Sequence, residues 1–452
     1  MDNKIKEFVE KLFSEAGKAG FEEYEVYFGS DNSIGVSVRE GKVIQYENSD
    51  MAALSFRGLY QGQMGYSFTE DFSEEQIPFL LEQAKDNCKV LELKESVTVY
   101  EGDKEYPEYS GFSEDLTQLR YEEMANMALE LEKKLLAYDS RIEAVDDCCV
   151  DYGYAEILIR NSKGMQCFAA DNGMGVYVGC RAKENEDVQT YGKSWSFMKR
   201  SDFDVDYCAK YIGEHVIAKL GAKPVPSVKT PVVLDKVAAR ALLASFTGSF
   251  SAEAMQKGLS RLAGKVGERI ANEKITIIDE GMIGNSPLCI PFDSEGVGAK
   301  RTVVVDKGIF VSPLHNRKTA LVDGVESTGN GFRGSAKGSL GVSPTNFHLE
   351  NGTASLEELF SKMGNGVYIT SVAGLHAGIN GVSGDFSLMA EGFTVENGKV
   401  GRPVNQITIA DNFFEMLMKI DTLGNDVDYY ANDAGHVQSP CLLIPDVSVS
   451  GE

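Results

Sequence analysis

GAKPVPSVKTP, residues 221–231, places Pro224, Pro226 and Pro231 within eight residues. A proline fixes its own φ and lacks the N–H that a helix or a central strand needs, so this stretch stops any helix and holds the chain extended. It divides the 452 residues into an N-terminal region, 1–222, a linker, 223–231, and a C-terminal region, 232–452. The length agrees, since it exceeds what one hydrophobic core usually supports.

Before the prolines, MDNKIKEFVEKLFSEAGKAG spaces Ile5, Phe8, Val9, Leu12 and Phe13 for an amphipathic packing helix, without the continuous apolar core of a signal peptide. Five short strands are predicted next, YEVYFG, SIGVSVRE, KVIQYEN, MAALSFRG and QMGYSF, then a polar helix near 73–87. Residues 97–113 form a connector rich in tyrosines and acids. A helix over 116–136 and a second strand series from Ile142 follow, closed by a helix near 205–220. Arg39, Lys42 and Gln45 recur in spacing as Arg160, Lys163 and Gln166. That hints at two helix-plus-meander halves, about 1–95 and 114–222. After the linker, PVVLD, KITIID, RTVVVDKGIFV, GVYITSVA, FTVENGKV and CLLIPDVSV alternate with Gly-rich loops. The expected class is α+β: helices packed on β-meanders, then a mostly antiparallel, barrel-like or sandwich-like β domain with inserted helices.

The 68 acidic and 44 basic residues leave a formal charge of −24, and no Lys/Arg run offsets it. Phosphate backbones and anionic membranes are repelled, so neither nucleic acid nor membrane is an expected partner. Eight cysteines contain no CxxC pair, and the adjacent Cys148 and Cys149 cannot easily bridge. Reduced thiols and a cytoplasmic location are the expectation. No stretch approaches the roughly 20 apolar residues that span a bilayer.

Candidate chemistry is sparse. GNGFRG, residues 329–334, satisfies GxGxxG but leads into SAKGSLGVSPTN, which has no helical period, so a dinucleotide site is not expected. The nucleophile pattern GxSxG is absent. His315, His348, His376 and His436 stand 28 to 60 residues apart, unlike the close ligand pairs of most zinc sites. In GLHAGINGVSGDFSLMAEGFTVENGK, residues 374–399, glycines let backbone approach a ligand or another strand, and His376, Asn380, Ser383 and Asp385 add polar groups. The same residues would equally suit a tight turn whose Asp caps its own backbone. SAEAMQKGLS, residues 251–260, reads as a plain surface helix with one carboxylate, Glu253, and one cation, Lys257.

PFDSEGV (291–297), the RTVVVDKGIF strand after it, STGNGFR (327–333), GINGVSGDFSLMAEGFTVENGK and ITIADNFFEMLMKID (407–421) follow one another along the chain. With the N-terminal helix and VREGKVIQ, they resemble the TldD/PmbA family over essentially the whole sequence. That family was once described as modulators of DNA gyrase and is better understood as peptidases. Its catalytic TldD-like members carry HExxxH on a helix early in the C-terminal domain, with a cysteine near the C-terminus completing a zinc site. Against that motif Ala252 stands at the first His, Glu253 at the Glu and Lys257 at the second His. Alanine offers no lone pair and an ammonium repels a cation. Glu253 could act as a general base only beside a metal or another electrophile. Cys441, in HVQSPCLLIP, reads as a packed strand residue.

The resemblance is therefore to the PmbA branch, also called TldE, which lacks the zinc motif. It implies a non-catalytic subunit that binds no cofactor itself. Zinc would sit on a TldD-like partner, in a heterodimer enclosing a cavity where small or unfolded peptides are cleaved; a homodimer is the other assembly. His376, Asn380 and Asp385 are candidates for the cavity wall, where Gly-rich backbone could pair with an extended peptide. Two further readings stay open: a homodimeric hydrolase with metal ligands drawn from His315, His348, His376 and His436, and a peptide-binding protein without hydrolysis.

Overall fold

A computed structural model describes residues 2–90, 98–284, 286 and 288–452. The expected end of the first half, 91–95, and the connector's first residue, Val97, lie outside the described residues. Helix α1 (Asn3–Lys18) leads into β1 (Glu23–Arg39), β2 (Lys42–Tyr60) and β3 (Gln63–Thr69), followed by α2 (Gln76–Val90). The five short strands expected here are thus three long ones. Polar residues that look like a turn face strand residues across the ladder: Asp31, Asn32 and Ser33 lie opposite Met51, Asp50 and Ser49, so pairing runs straight through.

The plan repeats in α3 (Tyr121–Tyr138), β4 (Ile142–Asn161), β5 (Gln166–Glu184), β6 (Asp187–Phe197) and α4 (Val205–Ala218). Because β1 pairs with β4, the two meanders make one antiparallel sheet, β3-β2-β1-β4-β5-β6. The hairpins at 39–42 and 161–166, which carry the matching Arg, Lys and Gln, join corresponding strands of the two meanders. Side chains alternate along β1. Val26 and Phe28 pack with α1 and α2, whereas Val36 and Val38, on the same face, pack with α3 and α4. Tyr27, on the opposite face, clusters with Phe292 and Ala336. Helices therefore cover one face, and the C-terminal region covers part of the other.

The C-terminal region runs β7 (Val228–Leu234), α5 (Lys236–Phe246), α6 (Ala252–Gln256), β8 (Ile277–Glu280), β9 (Arg301–Asp306), β10 (Ile309–Phe310), α7 (Arg317–Asp323), β11 (Gly331–Phe332), β12 (Gly341–Val342) and β13 (Phe347–Leu349). It continues through α8 (Leu356–Met363), β14 (Gly366–Ala373), β15 (Asp385–Glu396), β16 (Lys399–Asn412), α9 (Phe413–Lys419), β17 (Thr422–Leu423), β18 (Val437–Gln438) and β19 (Leu442–Ser450). Strands β16-β15-β14-β7-β19 pair in turn, and β19 pairs back onto β16. The sheet is a closed five-stranded barrel, antiparallel except between β7 and β14. Of the barrel-like and sandwich-like forms, the chain adopts the first. A second sheet, β10-β9-β8-β13-β18, shares its core, where Phe246 stacks on Phe413 with centroids 4.3 Å apart. None of the described helices is long and apolar enough to cross a membrane.

The expected linker is only partly a connector, because β7 already begins at Val228. Pro231 is tolerated within the strand since β19 bulges opposite it, the register shifting between Ile444 and Val447. A bulge requires no ladder N–H from the residue it faces.

At Gly392 the barrel wall leaves no room for a side chain: a Cβ there would stand 1.8 Å from the Tyr368 carbonyl oxygen. Gly392→Ala is expected to cost about 3 kcal/mol, read from urea denaturation. Unchanged stability would show that β14 and β15 can move apart at this point.

Candidate functional site, an arginine-lined cleft

On the sheet face turned toward the C-terminal region, Glu25 of β1 lies directly opposite Arg57 of β2. Glu25 is 1% exposed and Arg57 8%, with Arg57 Nη2 2.8 Å from Glu25 Oε1. Burial pulls the guanidinium pKa down, but the Glu25 charge more than offsets this and leaves it raised, so Arg57 is held ionised. Neither charge could stay buried alone.

Facing this pair, the PFDSEGV loop folds around Asp293. Its Oδ1 accepts the N–H groups of Glu295 and Val297, and its Oδ2 accepts that of Gly331. Burial and the adjacent Glu295 carboxylate push Asp293 up to about 8, against three donors that favour the anion. Glu295 is likewise pushed up by burial, while its Oε2 accepts the Arg317 N–H at 2.8 Å. Gly331 belongs to GNGFRG, and a Cβ on it would meet Glu295 Oε2 at 2.5 Å. That glycine serves a close approach of carboxylates to backbone. Buried Asn330 beside it donates to Asp279 at 2.8 Å, and the segment enters strand β11 rather than a helix.

The tyrosine-and-acid connector clamps the loop from the N-terminal side. Tyr106 donates its hydroxyl to the Gly296 carbonyl at 2.7 Å, and Asp103 accepts the Gly298 N–H at 2.6 Å. Arg317 lies 4.9 Å from the Tyr100 ring centre and donates to the Thr98 carbonyl. Arg333 reaches the sheet, donating to Ser55 Oγ at 3.2 Å with its guanidinium 4.6 Å from the Tyr27 ring centre. Between β2, β3 and residues 336–340 is a cleft of about 510 Å³, lined by Arg57, Arg333, Ser67, Met64, Phe68 and Leu340 among others. Another, of about 740 Å³, lies where α4 and β6 face β14 and β15; Tyr191, Tyr211, His215 and Tyr368 line it.

Helix α6 borders the first cleft's loop, since a Cβ on Gly341 would lie 3.6 Å from Glu253 Oε2. Ser251 caps the helix by accepting the Ala254 N–H. Ala252 is fully buried, whereas Lys257, at the C-cap, extends back to place Nζ 2.6 Å from Glu253 Oε1. The carboxylate is thus engaged by an i,i+4 ion pair on its own helix.

Asn380 Oδ1 accepts the N–H groups of Val382 and Ser383. Asp385 accepts from Asn412 Nδ2 and Ser383 Oγ, bonds that hold its carboxyl below the ordinary range. Both side chains shape the turn between β14 and β15, in which His376 is exposed. His315 is buried, its Nδ1 3.2 Å from Thr319 Oγ1. His348 and His436 meet at Asn346, a neighbourhood their 88-residue separation conceals. With Asn346 Nδ2 assigned as donor to the Glu280 and Leu288 carbonyls, its Oδ1 accepts from His436 Nδ1 at 2.8 Å. Cys441 is buried with Sγ 3.0 Å from Asp426 Oδ2, and burial raises its thiol pKa. Among the described residues, no group of three or more His, Cys, Asp or Glu could hold a metal ion.

Sequence reading did not find Glu25, Arg57 or Arg333. A faint signal was available, since Arg57 interrupts the apolar run MAALSFRGLY one residue after the buried Phe56.

Two tests follow from these environments. Glu25→Leu, which strands the Arg57 charge, should cost about 3 to 5 kcal/mol, and adding Arg57→Met should recover much of it. Equal losses in urea denaturation of the two variants would show that the charges are not coupled. Burial pushes His348 down to about 4, below an unfolded value near 6.5. The unfolded chain therefore takes up the proton first, so this residue's contribution is constant above about pH 6.5 and about 3 kcal/mol of stability is lost on acidification to pH 4. His348→Gln should lack that slope; a stability difference from wild type that stays level from pH 7 to 4 would refute the assignment.

The geometry has counterparts in known proteins. Models of PmbA/TldA metallopeptidase domains match in order: domain 1 at residues 24–88, the central domain at 114–220 and the C-terminal domain at 227–451. Metalloprotease PmbA of Escherichia coli O157:H7 is 26% identical over 436 residues, 95% of this chain and 92% of that protein. The crystal structure of a candidate modulator of a DNA gyrase from Thermotoga maritima superposes with a TM-score of 0.90 at 31% identity, covering 99% of this chain and 100% of that one. TldE from Thermococcus kodakarensis shares the fold, with a TM-score of 0.86 at 23% identity over 98% and 100% of the two chains. With all three domains matched in order and the whole fold shared, the chain belongs to the PmbA/TldD family of metallopeptidases.

Proposed function

We propose that this chain is a TldE-like, non-hydrolytic subunit of a cytoplasmic two-component metallopeptidase acting on small or unfolded peptides. Helix α6 carries the reading. A zinc site needs lone pairs from His, Cys or carboxylate groups. At the positions of the family's HExxxH motif, Ala252 has none and is fully buried, Lys257 is a cation, and Glu253 is already paired with it. This donor set does not fit zinc, so this helix can activate no metal-bound water. Hydrolysis falls to a TldD-like partner, and this chain supplies part of the wall around the substrate. His376, Asn380 and Asp385, in the β14–β15 connection, are its proposed wall residues, with Gly-rich backbone available to an extended peptide.

Purified alone, the protein should hold well under one zinc per chain and cleave no unstructured peptide, whereas mixing with a TldD-like partner should yield chelator-sensitive cleavage. Elemental analysis showing one zinc per isolated chain, with cleavage lost on chelation, would overturn the proposal. Peptide binding with no cleavage when the partner is present would favour a binding protein instead.

A further inference from the structure

Around Arg57 an unusual set of donors lacks acceptors. Its Nε is buried and without a hydrogen-bond partner, as is Arg333 Nε. Glu25 Oε1 lies 2.8 Å from Arg57 Nη2 and engages that nitrogen, which leaves Nε without an acceptor. Arg57 is 8% exposed and lines the 510 Å³ cleft together with Arg333. Donors buried this deeply are normally paired, and an orphan cluster at a cleft implies an acceptor that enters it.

The acceptor must be anionic. Burial lowers the Arg333 pKa and the like charge of Arg57 lowers it further; Glu25 and Glu295 offset part of this, and an anion beside the two guanidinium groups would offset more. A guanidinium presents planar, forked donors that match a carboxylate. Met64, Phe68 and Leu340 supply apolar lining for the body of a ligand behind such a head group. Glu295 shares the lining, and burial pushes its pKa up, which lessens its opposition to an adjacent anion.

We propose that this cleft is a carboxylate-binding site in which Arg57 and Arg333 share one carboxylate. The carboxylate comes from the C-terminus of a peptide or from a small free organic acid; the peptide source rests on the function proposed above.

Calorimetric titration of the full chain tests this with N-acetyl-leucine, the tetrapeptide Ala-Ala-Ala-Leu, and the C-terminal amide of each. At least one acid should bind ten or more times tighter than its amide, and Arg333→Gln, folded by circular dichroism, should erase the difference. Since Arg57 is paired with Glu25, the double variant Glu25→Gln/Arg57→Gln, folded by circular dichroism, provides the second arm and should lose the same selectivity. Peptide acid and amide binding equally well would overturn the carboxylate site while leaving the peptide reading intact. Arg333-dependent binding of N-acetyl-leucine but not of the peptide would support the site and count against the peptide reading. Binding of neither acid would overturn the site.

Discussion

Glu25 and Arg57 are withdrawn from water together, and the junction of the two halves of the molecule is arranged around that pair. Each charge would be prohibitive alone. Adjacent strands place them opposite one another, on the sheet face that the N-terminal helices leave uncovered. The C-terminal region covers that face: Tyr27 packs on Phe292 and Ala336, and Arg333 reaches across to Ser55.

The same junction explains why PFDSEGV and GNGFRG lie where they do. Asp293 gathers three backbone N–H groups from the two segments, and Gly331 lets the carboxylates come close to backbone. Tyr106 and Asp103 tie that assembly back to the connector. A loop that satisfies a nucleotide-binding expression is instead a structural partner of buried acids. Arg57 and Arg333, near those acids, are also the groups proposed to hold a carboxylate in the cleft.

Helix α6 carries the proposed loss of catalysis. It retains its Ser251 cap and its place beside the β12 loop, yet its carboxylate is neutralised within the helix by Lys257. The barrel and second sheet around it are a complete hydrophobic core, so the fold does not need a metal at this helix to hold together.

Much was legible in the residues because it is local. The amphipathic period of α1, the strand-rich meanders, the Gly-turned hairpins and the family motifs depend on neighbours a few positions apart. The absence of imidazoles at Ala252 and Lys257 could be read from sequence alone. Strand length could not, because whether Asp31 and Asn32 turn or continue depends on which residues face them across the ladder. Nor could the start of β7 at Val228, which depends on a bulge in a strand more than 200 residues away. Barrel closure, the meeting of His348 and His436 at Asn346, and the convergence of Arg57 with Arg333 are likewise tertiary facts. Composition and local pattern determined the class of fold, and the sequence alone shows Ala252 and Lys257 in helix α6. Only long-range packing decided which charges are buried together and which donors are left facing a cleft, because desolvation and pairing act on neighbours in space.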